Sequence, residues 1–158
     1  MTRTDARIEV WMDLLGALKP ALGALLIGAG NGTGEWIGRL QRWGVPHVAL
    51  VEAGEPQFLQ LQQSVGPRPG WHLHQHLVAG HAYVVDYYQA SHAAESGLLD
   101  PQALRGLWPH LKTRQTQSRQ AVTVAGLLQD SGEALDWLVV DCLPALSIVE
   151  GAGERLEG

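Results

Sequence analysis

The feature that most constrains the fold is a run of alternating glycines directly after a short apolar segment. Residues 25–27 lead into glycines at every second position, Gly28, Gly30 and Gly32. Glycines let the backbone turn sharply through φ values closed to other residues, and they leave no Cβ between the main chain and a ligand. An acidic residue, Glu52, follows at the end of a second apolar run, where it can hold a ribose by its hydroxyls. Turn and acid together are typical of a nucleotide-cofactor site.

The spacing of the glycines separates two kinds of cofactor. A dinucleotide fingerprint has the form Gly-x-Gly-x-x-Gly, and its third glycine would fall on Thr33. The pattern here is Gly-x-Gly-x-Gly, which resembles motif I of the S-adenosylmethionine (SAM) methyltransferases. Residues 48–52 resemble the second strand of those enzymes, which ends in the ribose-binding acid. The sequence therefore favours SAM over NAD, and a dinucleotide enzyme is the less favoured alternative.

Composition limits the class of protein. A chain of 158 residues with 46% hydrophobic residues is sufficient for a single domain over 1–158 with a real core. The formal charge of −5 argues against nucleic acid as the main partner. The single cysteine, Cys142, excludes an internal disulfide, and no signal-peptide pattern or apolar run of about 18 residues is present. We therefore expect a cytoplasmic location and no membrane partner.

Local patterns predict alternating helices and strands in the first half of the chain. An N-terminal helix over 1–20 has an apolar stripe of Ile8, Trp11, Leu14, Leu15 and Leu18. A helix follows the glycine turn at 35–43, a strand covers 47–52, and another helix begins at Pro56. The glycine turn then lies at a helix N-terminus, which favours an anionic ligand group.

The second half is less regular. We predict strands at 71–78 and 82–88 that pair through the bend at 79–80, and a helix that begins at Asp100 and Pro101. The polar segment 112–120 is interpreted as an exposed loop, with contact to an anionic substrate or partner as the alternative. A short strand at 122–124, a helical turn at 126–129, a buried strand at 137–140 and a last helix at 144–150 complete the prediction.

This alternation predicts an α/β fold, a Rossmann-like three-layer sandwich with a mostly parallel central sheet. Right-handed crossovers would place Gly28, Glu52 and Asp141 along one rim of that sheet. Ligands bind to such sheets at this rim.

A longer match appears once these elements are placed. Its pieces are the glycine turn, residues 51–52, 77–80, 85–88, 96–99, 122–124 and 137–141. Their order resembles that of the FkbM-type methyltransferases, from about residue 23 to the end. The resemblance implies a SAM-dependent methyltransferase with class I topology, often directed at the hydroxyls of sugars or other small acceptors.

The resemblance also implies roles for individual residues. The methionine end of SAM would lie against Gly28, Ala29, Gly30 and Gly32. The ribose would bind Glu52, with Ala53 beside it, and the adenine would be flanked by Leu77, Val78 and Ala79. Asp141 would face the methyl group and the acceptor, and Asp141 or a histidine is the candidate base for a hydroxyl proton. The alternative is that Asp141 only caps the helix that follows it.

Three departures from the family pattern favour a second function. The position two before the first glycine, usually acidic, is Leu26, and the family's Asp-Val-Glu-Gly is replaced by Asp-Cys-Leu-Pro at 141–144. The chain also stops before the last two strands of the full fold. The alternative is thus a methyltransferase-fold module that has lost catalysis and serves in binding or assembly. An uncovered sheet edge would invite a homodimer or an adjoining domain.

Two further groups have simple interpretations. His72, His74 and His76 alternate and could bind a metal on one face of a strand, but no carboxylate or cysteine at ligand spacing supports this. We interpret them as the solvent side of an edge strand and expect no metal. Cys142 is interpreted as a packed, inert thiol.

Overall fold

The computed structural model describes residues 3–131 and 135–156. Within these ranges the helices are α1 (Arg3–Leu18), α2 (Glu35–Arg42), α3 (Glu55–Val65), α4 (Val124–Ser131) and α5 (Ala145–Glu150). The strands are β1 (Gly23–Ile27), β2 (His47–Glu52), β3 (Trp71–Gln75), β4 (Leu77–Val78), β5 (Val84–Ala90), β6 (Thr113–Val122) and β7 (Trp137–Val140). Short 3-10 turns cover Ala93–Glu95, Pro101–Leu104 and Gly153–Leu156.

The central sheet is parallel and has the strand order β3-β2-β1-β7. Ile27 at the end of β1 is in register with Val51 of β2 and with Val140 of β7. The carboxyl ends of these three strands therefore lie side by side. The predicted α/β class with a mostly parallel sheet is confirmed.

Helices cover both faces of this sheet because β1 and β2 carry apolar side chains on both sides. On one face Leu26 and Leu50 pack against residues of α2 and α3, namely Ile37, Leu40, Leu61 and Val65. On the other face Leu25 and Val51 pack against residues of α4 and α5, namely Val124, Leu127 and Ile148. The result is a three-layer arrangement with its core on each side of β1.

A second, smaller sheet has the order β4-β6-β5. Strands β5 and β6 pair antiparallel from Val84↔Gln120 to Ala90↔Thr113, and β4 pairs parallel with the end of β6. The prediction of an exposed loop at 112–120 is wrong, since this polar segment forms most of β6. Its polar residues suit a strand because much of it faces solvent.

The predicted pairing of 71–78 with 82–88 is also wrong. Segment 71–78 is divided at His76, so that β3 joins the central sheet beside β2 and β4 joins the smaller sheet beside β6. Strand β5 pairs with β6 instead. Both parts of 71–78 thereby pair with strands from distant segments. The local sequence pattern around the bend at 79–80 could not predict these pairings.

Two other segments differ from their predictions. The expected strand at 122–124 is the end of β6 followed at once by α4. The helix expected from Asp100 is only the 3-10 turn Pro101–Leu104, although the Asp100 carboxylate caps it through the Gln102 N–H at 3.0 Å. Leu104 and Leu111 are buried, whereas Leu107 faces solvent.

Helix α1 forms as predicted, but its apolar stripe does not face the core. Trp11 is 69% exposed and Leu18 is 74% exposed. The helix contacts α2 through its polar side, where Glu9 forms an ion pair with the buried Arg39 and Asp13 accepts from the Trp43 indole at 3.3 Å. The stripe is therefore an uncovered surface of the described chain.

Strand β7 lies at the edge of the central sheet and pairs only with β1 among the described strands. A partner at this edge stays a prediction. Across residues 3–131 and 135–156, every helix is too short or too polar to traverse a lipid bilayer.

Candidate functional site

The turns that follow β1, β2 and β7 are joined at the carboxyl rim of the sheet. The N–H groups of Gly28 and Ala29 both donate to the Val51 carbonyl, at 2.9 and 3.0 Å. The N–H of Asp141 donates to the Ile27 carbonyl at 2.8 Å. These bonds fix the positions of the glycine turn and of Asp141 relative to the end of β2.

The three glycines of the turn serve different purposes. All three have positive φ, but a Cβ at Gly28 would lie 2.8 Å from the Asp141 carbonyl oxygen and 2.9 Å from the Cys142 Cβ. A Cβ at Gly32 would lie 2.8 Å from the Cβ of Ser64 on α3. At Gly30 a Cβ would meet nothing within 4 Å. Gly28 and Gly32 thus permit close packing, and only Gly30 has open space on its Cβ side.

Glu52 binds the two turns on either side of it. Its Oε2 accepts from the Gly30 N–H at 2.8 Å, and its Oε1 accepts from the Gly54 N–H at 2.7 Å. A carboxylate oxygen has two lone pairs, so each oxygen retains one acceptor site for a ligand hydroxyl. The acid therefore shapes the glycine turn and still has acceptor capacity towards the rim.

A small pocket of about 40 Å³ lies at the rim. Among its lining residues are several that the sequence assigned to the cofactor, namely Gly28, Ala53, Leu77 and Val78. The rest of the wall consists of residues 96–98 and 142–143 together with Ile27, Val51, His76 and Ile148. The structure therefore brings these four predicted residues together, but the space between them holds only a few water molecules.

Other residues assigned to the cofactor do not line this pocket. Ala29 is buried in the core beneath the turn, and Gly32 packs on α3. The Ala79 N–H donates to the Val122 carbonyl at 2.9 Å, and its carbonyl oxygen lies near Gly151. Leu26 is also buried in the core on the side of α2 and α3. These positions support the site without facing it.

A larger pocket of about 470 Å³ adjoins the small one. Asp141 lines it, together with an acid and an indole that sequence reasoning did not identify, Glu95 and Trp108. Residues 96–97 and 142–143 line both pockets and form their common wall. Glu95 and Trp108 lie in an irregular segment without a recognisable motif, and the nearest sequence signal is the similarity of 96–99 to the FkbM pattern.

Cys142 lies between the two pockets, and the pKa of its thiol reflects the charges nearby. Burial raises the pKa of its thiol to about 12, and the Glu52 and Asp141 carboxylates add to this effect. A neutral, buried thiol is a poor nucleophile. The predicted inert thiol therefore agrees with its environment, and the junction of the pockets lies in the field of two carboxylates.

Arg119 of β6 closes the site on the side of the smaller sheet. Its guanidinium donates to the Ala53 carbonyl at 2.7 Å and lies 4.7 Å from the centroid of the Tyr87 ring. Burial, and next the Glu52 carboxylate, raises the pKa of the Tyr87 phenol. The segment that was predicted to be a loop thus supplies a cation that fixes the turn after β2.

Among the described residues, no histidine lines the pocket of Asp141, whereas His76 lines the small pocket. His92 and His110 line a separate cleft beside Trp108 and do not line the pocket of Asp141. His74 and His76 stack with ring centroids 6.2 Å apart near the end of β3. In the described ranges, no group of three or more His, Cys, Asp or Glu side chains is placed to hold a metal ion.

Comparison of the chain with family models, curated proteins and solved structures found no match.

Proposed function

We propose that this chain is a SAM-dependent methyltransferase of the FkbM type, directed at a hydroxyl of a sugar or another small acceptor. The observation that carries the proposal is the meeting of the glycine turn, Glu52 and Asp141 at one rim, beside two adjoining pockets. Crevices at the carboxyl ends of parallel strands are where α/β sheets bind ligands. A cofactor pocket next to an acceptor pocket is the arrangement that group transfer requires.

Residues of the small pocket and of the rim beside it fit the parts of SAM. Gly30 has open space beside it for the methionine end, and the free lone pairs of Glu52 suit the ribose hydroxyls. Leu77 and Val78 provide an apolar wall for the adenine. The carboxylates of Glu52 and Asp141 complement the positive sulfonium at the junction of the pockets. Because the small pocket has about 40 Å³, its wall at 96–98 must move outward to admit the cofactor.

The chain's own part in the reaction is to hold the acceptor and to take its proton. SAM supplies an electrophilic methyl group when it is bound. The larger pocket would hold the acceptor with one hydroxyl towards the common wall, and the Asp141 carboxylate would accept the hydroxyl proton as the oxygen reacts. The half-buried Cys142 thiol stays protonated and neutral beside it.

A second candidate function is supported by a specific observation. The small pocket has only about 40 Å³, and both oxygens of Glu52 already accept main-chain N–H groups. In a module that has lost catalysis, these hydrogen bonds at the rim would only stabilise the fold. Another surface would then serve in binding or assembly. Leu26 and the altered sequence after Asp141 agree with this alternative.

Calorimetric titration with SAM and S-adenosylhomocysteine tests the proposal. We expect micromolar binding that Glu52→Ala abolishes and that Glu55→Ala leaves unchanged, because Glu55 is an exposed acid just beyond the same strand. Circular dichroism of each variant excludes loss of folding as the cause. The absence of heat at millimolar ligand would refute cofactor binding.

A labelled-methyl assay over sugars and small hydroxyl compounds then separates the two functions. Transfer that falls in Asp141→Asn by a much larger factor than cofactor affinity would support catalysis. Cofactor binding without transfer to any acceptor would favour the binding module.

A further inference from the structure

The larger pocket has a composition that selects among small acceptors. Its volume of about 470 Å³ is in the range of small-molecule sites. One part of the wall is apolar and includes Leu99 and the buried Leu104, and another part is the indole of Trp108. An occupant with an apolar body or a ring face would match this wall by shape and by burial of its surface.

The charged residues of the wall all have the same sign. Glu95 and Asp141 are its only ionisable carboxylates, and the lining includes no lysine, arginine or histidine. The Glu95 side chain is only 24% exposed. The Nδ1 of His92 lies 4.0 Å from the Glu95 Oε1, and this imidazole is charged only when protonated. The lining of the pocket therefore combines two carboxylates with an indole.

We propose that this pocket binds a small organic amine, with the ammonium group between Glu95 and Asp141 and the body of the molecule against Trp108. For the proposed methyltransferase, the acceptor would be a hydroxyl compound that also carries an ammonium group, and this part of the inference rests on that function. A protonated amine can form charge-assisted hydrogen bonds with the two carboxylates. It also gains from the face of the indole, the best aromatic partner for a cation.

A neutral acceptor of the same shape would make the apolar contacts and lack the charge interactions. An anionic acceptor would be repelled by both carboxylates. Because Glu95 is partly buried, its interaction with a cation is screened less than that of an exposed acid. Discrimination between an amine and its isosteric alcohol is thus the property that separates this proposal from a general sugar or alcohol site.

Direct binding to the full chain without SAM is the test. The probes are two pairs that differ in an ammonium or hydroxyl group, namely phenethylamine and phenethyl alcohol, and cyclohexylamine and cyclohexanol. Titrations followed by heteronuclear NMR at about pH 8 keep an ordinary histidine neutral and the amines largely protonated. In at least one pair we expect the amine to bind about tenfold more tightly than the alcohol, with shifts at residues 95–97 and 141–143.

Variants assign the preference to the pocket. Glu95→Gln with Asp141→Asn should reduce the preference to less than about twofold, whereas Glu154→Gln removes an acid outside the pocket and should leave it unchanged. Trp108→Leu should weaken both members of a pair. Equal or tighter binding of every alcohol, a preference that survives the double variant, or no binding of any amine at millimolar concentration would each overturn the proposal.

The two proposals fail separately. An amine preference in a chain that does not bind SAM would leave the amine site standing and refute the methyltransferase, and with it the role of the amine as acceptor. SAM binding without any amine preference would refute this inference alone.

Discussion

The different roles of Gly28 and Gly30 lead to a sharp prediction about stability. Both residues have positive φ, at 84° and 59°. An alanine at either position therefore has an unfavourable backbone conformation, which costs about 1–2 kcal/mol. At Gly28 the new methyl group would also lie 2.8 Å from the Asp141 carbonyl oxygen, a main-chain atom that cannot rotate away. Forcing atoms into a packed region adds about 1–3 kcal/mol.

We therefore expect Gly28→Ala to reduce the free energy of unfolding by about 2–5 kcal/mol, and Gly30→Ala by about 1–2 kcal/mol. Gly44→Ala is the matched control, since Gly44 has φ of 65°, has nothing within 4 Å of its Cβ position and lies after α2 away from the rim. Urea unfolding followed by tryptophan fluorescence and circular dichroism gives the three values.

SAM affinity should change in the opposite order, with a larger loss in Gly30→Ala than in Gly28→Ala. Gly30→Ala fills the open side of the turn, so it should weaken SAM binding while its stability matches that of Gly44→Ala. Equal destabilisation by Gly28→Ala and Gly30→Ala would refute the assignment of Gly28 to packing. Unchanged SAM affinity in Gly30→Ala would refute the assignment of Gly30 to the cofactor.

Three other variants test the electrostatics of the fold. Glu52→Gln places an amide donor against one of the N–H groups of Gly30 and Gly54, so urea unfolding should show a loss of about 1–3 kcal/mol, and no loss would contradict the bridging role. The Cys142 pKa is raised in the fold to about 12, so its neutral form stabilises the protein below the unfolded-state pKa and this contribution declines as pH rises towards 12. Cys142→Ala should remove that part of the alkaline decline in unfolding free energy, and identical pH profiles would contradict it. Arg39→Ala should reduce the free energy of unfolding by about 3 kcal/mol, because the buried guanidinium pairs with acids on two helices. A thermal unfolding curve close to that of the parent would refute this.

Much of the central sheet is predictable from local sequence. Apolar runs at β1, β2 and β7 and the glycine at position 28 specify buried parallel strands, and the structure has β2 at the predicted bounds. These strands are identified because both faces are covered, so their residues are almost continuously apolar.

The smaller sheet could not be predicted from local sequence, for the opposite physical reason. Strand β6 is polar over most of its length, and its conformation is determined by pairing with β5 rather than by its own pattern. Helix α1 shows a related limit, since periodicity identified its apolar stripe but not the direction in which the stripe faces.

The residues of the candidate site also form two groups, one that the sequence predicts and one that it does not. Gly28, Glu52 and Asp141 follow strands of the parallel sheet, and topology alone places them together. Glu95, Trp108 and Arg119 reach the rim from irregular or polar segments whose positions depend on tertiary pairing. Sequence patterns therefore could not predict the acceptor side of the site.

The position of β7 beside β1 has a consequence for how the protein is made. The Gly23 N–H donates to the Asp136 carboxylate at 2.9 Å across a separation of 113 residues, and this contact accompanies the pairing of the two strands. Pairing over such a distance is slow because a long loop must close first. While the ribosome is still synthesising the middle of the chain, β1 can pair with β2 but has no neighbour on its other side. The nascent protein thus has an apolar strand edge that chaperones or unwanted partners can reach, until the segment that carries Asp141 emerges and completes the sheet and the site together.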